Sequence, residues 1–426
     1  MRDESYTRGA NFHYFDDESF FILITLMNQI KERESLKQLI IVQSKIILGI
    51  GLFLMSLVFL NSYYYLISSV ICYVLKISPV YMSSASFETV LIEKWFVIIC
   101  TVLMVFVINV ALAYYTRFKH LFIAPFEMII FTTVMMTLLQ QSSLSISSQI
   151  MMMAVVLGMV MSIAPSITSK LCKGELEGRT TLGLFHYLDN WLCIGAGNLF
   201  GKCHLSTEAF VENSNFKRIL KKGFSGVTFF LIITTVLLTF IAYFQGYHEQ
   251  TRLVILNQLI VEGIGLQVIN VLILLMGIGC FYGFYRLIIS VYPVYLSFFE
   301  KIIPTAYFAT DWIYQLQHCR YVGLIGFISS YVAALVTLMY LSFYQVTEIV
   351  MPELVSIGLI GVLVSKMANQ VNGVKGTLIA SFMNGILLTV IPTLSLHFLK
   401  ALQLEGSFRS LDTFFISQLL DRLFIF

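Results

Sequence analysis

Charge is what this sequence has least of. Aspartate, glutamate, lysine and arginine make up 12% of its 426 residues, against 58% hydrophobic residues and a mean hydropathy of +0.84. A soluble chain of this length needs far more polar surface to stay dispersed, so the bilayer is the expected solvent. The net charge of +3 is too small and too dispersed to form a nucleic-acid surface. Cysteine is also sparse. Cys72, Cys100, Cys172, Cys193, Cys203, Cys280 and Cys319 form no CxxC pair and no Cys/His cluster, so they read as small buried apolar residues, and neither a metal nor a cofactor is expected. The chain has no GxxxxGK[ST] and no HExxH, which argues against direct ATP-driven pumping and zinc hydrolysis. No cleavable signal is evident, because the N-terminal stretch carries Arg2, Asp3, Glu4, Asp16, Asp17 and Glu18. Its apolar run from Phe20 to Met27 is too short to span a bilayer.

Long apolar runs are abundant. About 20 predominantly apolar residues are needed for a span, and nine stretches qualify or nearly so: 39–61, 94–115, 121–140, 148–169, 223–245, 264–285, 321–343, 353–366 and 376–397. The eighth is short and suggests a broken helix. Segments 63–76, 183–200 and 287–299 read as re-entrant or interfacial helices. The expected fold is therefore an all-α polytopic membrane protein, with an N-terminal segment 1–38, a transmembrane domain 39–397 and an amphipathic C-terminal tail 398–426. Basic residues cluster at alternate ends of the spans: Lys31, Arg33 and Lys37, then Arg117 and Lys119, then Lys170, Lys173 and Arg179, then Lys217, Arg218, Lys221 and Lys222. The intervening loops 141–147 and 346–352 have none, and 246–263 has only Arg252. This alternation predicts a cytoplasmic N-terminus.

A polar group at membrane depth is costly unless it is paired or faces water. Glu127 lies in the apolar run after Pro125 and reads either as a solute or proton ligand or as a paired structural carboxylate. His186 and Asp189, three residues apart, share a helix face. They could hydrogen-bond a polyhydroxylated solute or simply turn to a polar loop. Asp311, Gln315 and Gln317 cluster ahead of the span at 321, as groups that bind sugar hydroxyls or as a solvated loop. Lys45 and Arg286 sit near helix ends and can snorkel. Gly277, Gly279, Gly358 and Gly361 favour close helix packing. Asn369-Gln370-Val371-Asn372-Gly373 interrupts the apolar sequence, as a broken helix near a transport site or as a plain turn.

Taken in order, several blocks resemble the ascorbate-type enzyme IIC membrane component of the bacterial phosphoenolpyruvate-dependent sugar phosphotransferase system. They are Arg117-Phe118-Lys119, Gly183 through Trp191 to Gly201-Lys202 with Ser206-Thr207-Glu208, Phe299 through Ala306 with Ala309-Thr310-Asp311, and Asn369 to Lys375 with Asn384-Gly385. The resemblance runs over residues 35–397. It implies a core domain and a V-shaped domain built from inverted repeats, and a homodimer in the bacterial cytoplasmic membrane. It also implies a sugar or sugar-acid substrate phosphorylated by separate soluble B and A components, with no catalytic residue on this chain. Asp311 is the family's site aspartate at its matching position. Where the family carries a histidine after the basic loop, this chain has Ala124-Pro125-Phe126 with Glu127 beside it. His186 stands two residues beyond a second family histidine. The substrate-binding set expected here is thus Asp311, His186, Asp189, Glu127 and Gln315. The competing reading is a homologue that keeps the scaffold but no longer transports, and serves as a membrane receptor, regulator or assembly partner.

Overall fold

The computed structural model describes residues 33–80, 90, 93–123, 125–139, 145–171, 187–200, 210, 224–244, 264–302, 307–310, 320–346 and 348–401. The short run 20–27 and the tail after residue 401 lie outside them. The elements are α1 (Arg33–Leu75), β1 (Pro79–Val80), α2 (Trp95–Tyr115), β2 (His120–Ile123), α3 (Pro125–Leu139), α4 (Ile146–Leu171) and α5 (Tyr187–Phe200). The second part of the chain supplies α6 (Phe224–Phe244), α7 (Ile264–Ile302), β3 (Tyr307–Thr310), α8 (Arg320–Phe343), β4 (Ile349–Val350) and α9 (Leu354–Ala401).

All nine apolar stretches contain a helix, although the third, 121–140, opens with strand β2 before α3 begins at Pro125. Among the described residues seven helices are long and apolar enough to cross a membrane, and they include Val371–His397, the second part of α9. The two short ones are α3, with 15 residues, and Leu354–Asn369. Two sequence expectations are corrected. Segments 63–76 and 287–299 are not separate interfacial helices. The first continues α1, which has 43 residues, and the second continues α7, which has 39. Hydropathy falls at those ends, but nothing there stops a helix; Pro293 lies inside α7 without ending it. Of the segment 183–200, the described residues Tyr187–Phe200 do form a separate short helix, α5.

α2 illustrates how the sequence sets an element. Its 21 residues measure about 30 Å, the thickness of the hydrocarbon core. Exposed ring pairs mark both ends: Trp95–Phe96 with centroids 5.9 Å apart and Tyr114–Tyr115 at 5.0 Å. Aromatic rings of this kind sit at headgroup level. Thr116 then stops the helix. Its hydroxyl donates to Leu112 O (2.6 Å) and accepts from Phe118 N (3.1 Å), so the side chain replaces the next backbone bond.

The two halves of the chain repeat one plan. α1, β1, α2, β2, α3 and α4 correspond in order to α7, β3, α8, β4 and the two parts of α9. The strands pair across the halves, β1 with β4 and β2 with β3, both in parallel. Exchanging the halves turns one pairing into the other. α1 and α7, the matching long helices, pack on each other. Ser56 Oγ donates to Gly277 O (3.1 Å), and Gly277 brings the α7 backbone against Leu60.

Within each half, two parallel helices flank a shorter one that runs back. α2 and α4 are joined by Asn109 Nδ2 donating to Ser162 Oγ at 2.7 Å, with Gly158 against Ile108 one turn earlier. α3 returns the chain between them. α8 and the second part of α9 are joined by Asn384 Nδ2 donating to Ser330 Oγ at 3.2 Å, and residues 354–372 make the return. The same asparagine–serine bond thus holds the matching pair in each half, with the two residue types exchanged. Because α2 and α4 run in parallel, the basic residues at their C-terminal ends, Arg117 and Lys119 after α2 and Lys170 in the last turn of α4, lie at the same end.

Two apolar cores result. One gathers Phe131, Met135, Met153, Leu157 and Met161 from α3 and α4. The other gathers Tyr63, Phe327, Tyr331, Ile360 and Val364 from α1, α8 and α9. α5 belongs to both, with Ile194 in the first and Cys193 in the second.

Candidate solute-binding site

A helix broken at membrane depth must satisfy the carbonyls it frees. α9 is interrupted at Gly373, whose φ of 60° and ψ of −149° suit only glycine. Thr377 Oγ1 donates to Gly373 O at 2.9 Å and lies 3.4 Å from Ser365 O, so it ties the two parts together across the break. Asn372, one residue before the break, donates its Nδ2 to Asn198 Oδ1 on α5 at 2.6 Å. Gly197, beside Asn198, lets α5 approach closely. A Cβ there would stand 3.1 Å from Gly376 O and 3.3 Å from Ala380 Cβ. α5 is therefore fastened by its C-terminal turns to the break in α9.

The other end of α5 is polar and buried. Asp189 and Asn190 are both 0% exposed, and they sit in the first turn, where unpaired backbone N–H groups favour a negative charge. Neither amide atom of Asn190 has a hydrogen-bond partner among the described residues. Burial first, and then the negative charge of Asp189 one turn away, push the Cys193 thiol pKa well up, so this cysteine remains a neutral thiol.

The last turns of α4 hold this end of α5 and β2 together. Trp191 Nε1 donates to Thr168 Oγ1 at 2.9 Å. Two residues earlier, Ser166 Oγ shares a 2.8 Å hydrogen bond with His120 Nδ1 on β2. Burial lowers the His120 pKa and keeps its imidazole neutral. β2 in turn lies beside β3 with Ile123 opposite Thr310. Since the strands are parallel, α3 and the segment beginning at residue 311 leave the same end of this small sheet.

The sequence candidates fall out as follows. Asp189 is buried on α5, and Glu127 is in the first turn of α3. His186, Asp311, Gln315 and Gln317 lie outside the described residues; His186 directly precedes α5 and Asp311 directly follows β3. Sequence reading passed over Asn190, Asn198 and Asn372 as ligands. An Asp-Asn pair in the first turn of a mostly apolar 14-residue helix was the available signal for Asn190. The Asn372-Gly373 dipeptide was the signal for the break. Asn198 carried none, because its importance depends on the helix it meets.

Among the described residues, seven helices long and apolar enough to span, two shorter return helices, a helix broken beside buried amides and a buried carboxylate at the seam of two cores define an integral membrane protein of the transport class. The family follows from the whole chain: residues 20–413 match the PTS system sugar-specific permease component, EIIC-GAT, and the chain belongs to that family. It is a multi-pass sugar permease component of a phosphotransferase system. No individual curated protein matches it significantly.

Proposed function

We propose that this chain carries a polyhydroxylated solute, a sugar or sugar acid of the kind the ascorbate-type resemblance implies, across the bacterial cytoplasmic membrane for phosphorylation by separate soluble B and A components. The observation that carries the reading is α5, whose buried Asp189–Asn190 turn and Asn198 bond to the broken helix place hydrogen-bonding groups at the seam between the two cores. Asp189, His186, Asp311, Glu127 and Gln315 form the binding set, and none has to act as a nucleophile. His186 precedes α5 by one residue. Asp311 and Glu127 belong to segments that leave one end of the β2–β3 sheet, and α4 ties that sheet to α5. The alternation of basic ends supports cytoplasmic N-termini, the ascorbate-type resemblance implies a homodimer, and residues 39–397 form the transporting domain between the terminal segments 1–38 and 398–426.

The test is thermal stabilisation of the purified protein in detergent across sugars, alditols, sugar acids and ascorbate, with Asp311→Asn as control. A solute that binds only the folded state must raise the melting temperature. A shift for one solute class, lost in Asp311→Asn, is the expected result. A folded, dimeric protein that no solute stabilises would instead fit the scaffold that no longer transports.

A further inference from the structure

Asn190 poses a problem that packing does not solve. A primary amide has two N–H donors and a carbonyl acceptor, and leaving such a group buried and unmet is among the costlier defects a fold can carry. Here both ends of the amide are buried, and neither has a partner among the described residues. Asn270 on α7 shares that condition, but no carboxylate adjoins it along the chain. Asn190 differs. It follows Asp189, its neighbour Trp191 is bonded to Thr168, and the next turn of the same helix contributes Cys193 to one core and Ile194 to the other. A side chain held on an anchored helix with its donors and acceptor unspent is prepared for a ligand that brings one of each.

We propose that Asn190 is itself a ligand of the transported solute, its Oδ1 accepting from one hydroxyl and its Nδ2 donating to the adjacent hydroxyl. With Asp189, it selects uncharged sugars or alditols over sugar acids. This rests on the permease function proposed above and narrows its substrate class. The selectivity follows from hydrogen-bond chemistry. A hydroxyl both donates and accepts, so two neighbouring hydroxyls satisfy both ends of the amide. A carboxylate only accepts; it would serve Nδ2, leave Oδ1 facing another oxygen, and stand next to the Asp189 carboxylate. Sites built around buried hydrogen-bonding groups discriminate sharply against ligands that leave those groups unmet.

The test uses matched pairs: pentitols and hexitols, each with the aldonate of the same stereochemistry, and ascorbate as a further anion, scored by thermal shift on the full-length protein. Three forms are compared, wild type, Asn190→Leu and Asn190→Ser. Leucine keeps the branched skeleton of asparagine at a somewhat larger volume and removes the unmet polar atoms, so the ligand-free Asn190→Leu protein is expected to melt at a higher temperature than wild type while losing its solute shift. The alditol is expected to bind wild type roughly tenfold or more tighter than its aldonate. Asn190→Ser, which folds with less demand on packing, gives the second reading and is expected to weaken the shift. If a solute stabilises wild type and the shift survives both substitutions, or if the aldonate binds better than the alditol, the role of Asn190 is overturned while the permease function stands. A fall in the ligand-free melting temperature of Asn190→Leu also overturns it, since the amide is then structural. If no solute stabilises wild type, both proposals fail together.

Discussion

Asn372 on α9 donates its side-chain amide to Asn198 on α5 across 2.6 Å, one residue before the chain turns through the conformation that only Gly373 allows. The bond fixes the broken helix to the helix that carries the buried acid–amide pair.

Removing either asparagine takes this partner from the other amide. Asn198→Ala and Asn372→Ala are each expected to destabilise the fold, and the double variant to cost less than the sum of the two. A coupling of about 1 kcal/mol is the scale for such a bond between membrane helices. Thermal or denaturant unfolding of the four proteins measures it, and strict additivity would mean the bond contributes nothing.

The α8–α9 contact permits a sharper contrast between glycines. A Cβ on Gly361 would overlap the Ser330 side chain and come 2.8 Å from Gly326 O, whereas one on Gly279 meets nothing within 4 Å. Gly361→Ala is expected to lower stability by about 1–3 kcal/mol through overpacking. Gly279→Ala should be neutral or slightly stabilising, since alanine is the better helix former. Equal effects at the two positions would contradict the packing described.

His120 predicts a pH dependence. Its folded-state pKa lies below the ordinary 6.5 because burial disfavours the imidazolium. Between the two values the unfolded chain binds the extra proton, so stability rises with pH there. The contribution is complete above about pH 6.5 and is lost as pH falls through the folded value. Melting temperatures from pH 8 to pH 5 should therefore decline on acidification, less steeply in His120→Asn. An unchanged slope in that variant would assign the effect to other groups.

Trp191 is the anchor that orients the polar turn of α5. Trp191→Phe keeps the ring but loses the Nε1 donor to Thr168, and a cost of about 1 kcal/mol is expected. If the anchor positions Asn190, the variant also binds solute more weakly than its loss of stability explains. Thr168→Val should reproduce that weakening. Solute affinity left intact in both variants would confine the bond to a structural role.

Much of this architecture was legible in the sequence, because hydropathy decides which segments enter the bilayer. Each of the nine apolar stretches contains a helix, and the break at Gly373 was suggested by the polar residues before it. The boundaries were less legible. Residues 63–76 and 287–299 are amphipathic enough to read as surface helices, yet they extend α1 and α7, because continuing a formed helix is favourable and no cap or glycine stops it. Strands of two to four residues left no trace, since pairing between β1 and β4 is decided by partners far along the chain. The site was read through its charged residues. Asn190 is uncharged, and the Asp-Asn pair that flagged it gained weight only once its burial was known.

The paired strands have a consequence for synthesis. Each half of the chain supplies one strand to each sheet, so β1 and β2 leave the ribosome long before β4 and β3 exist. The first half must wait in the membrane with those edges uncovered, and nothing made from it alone can close either sheet. A fragment ending near α5 would be an open half-shell rather than a smaller transporter. The two halves can become a transport pathway only by completing each other.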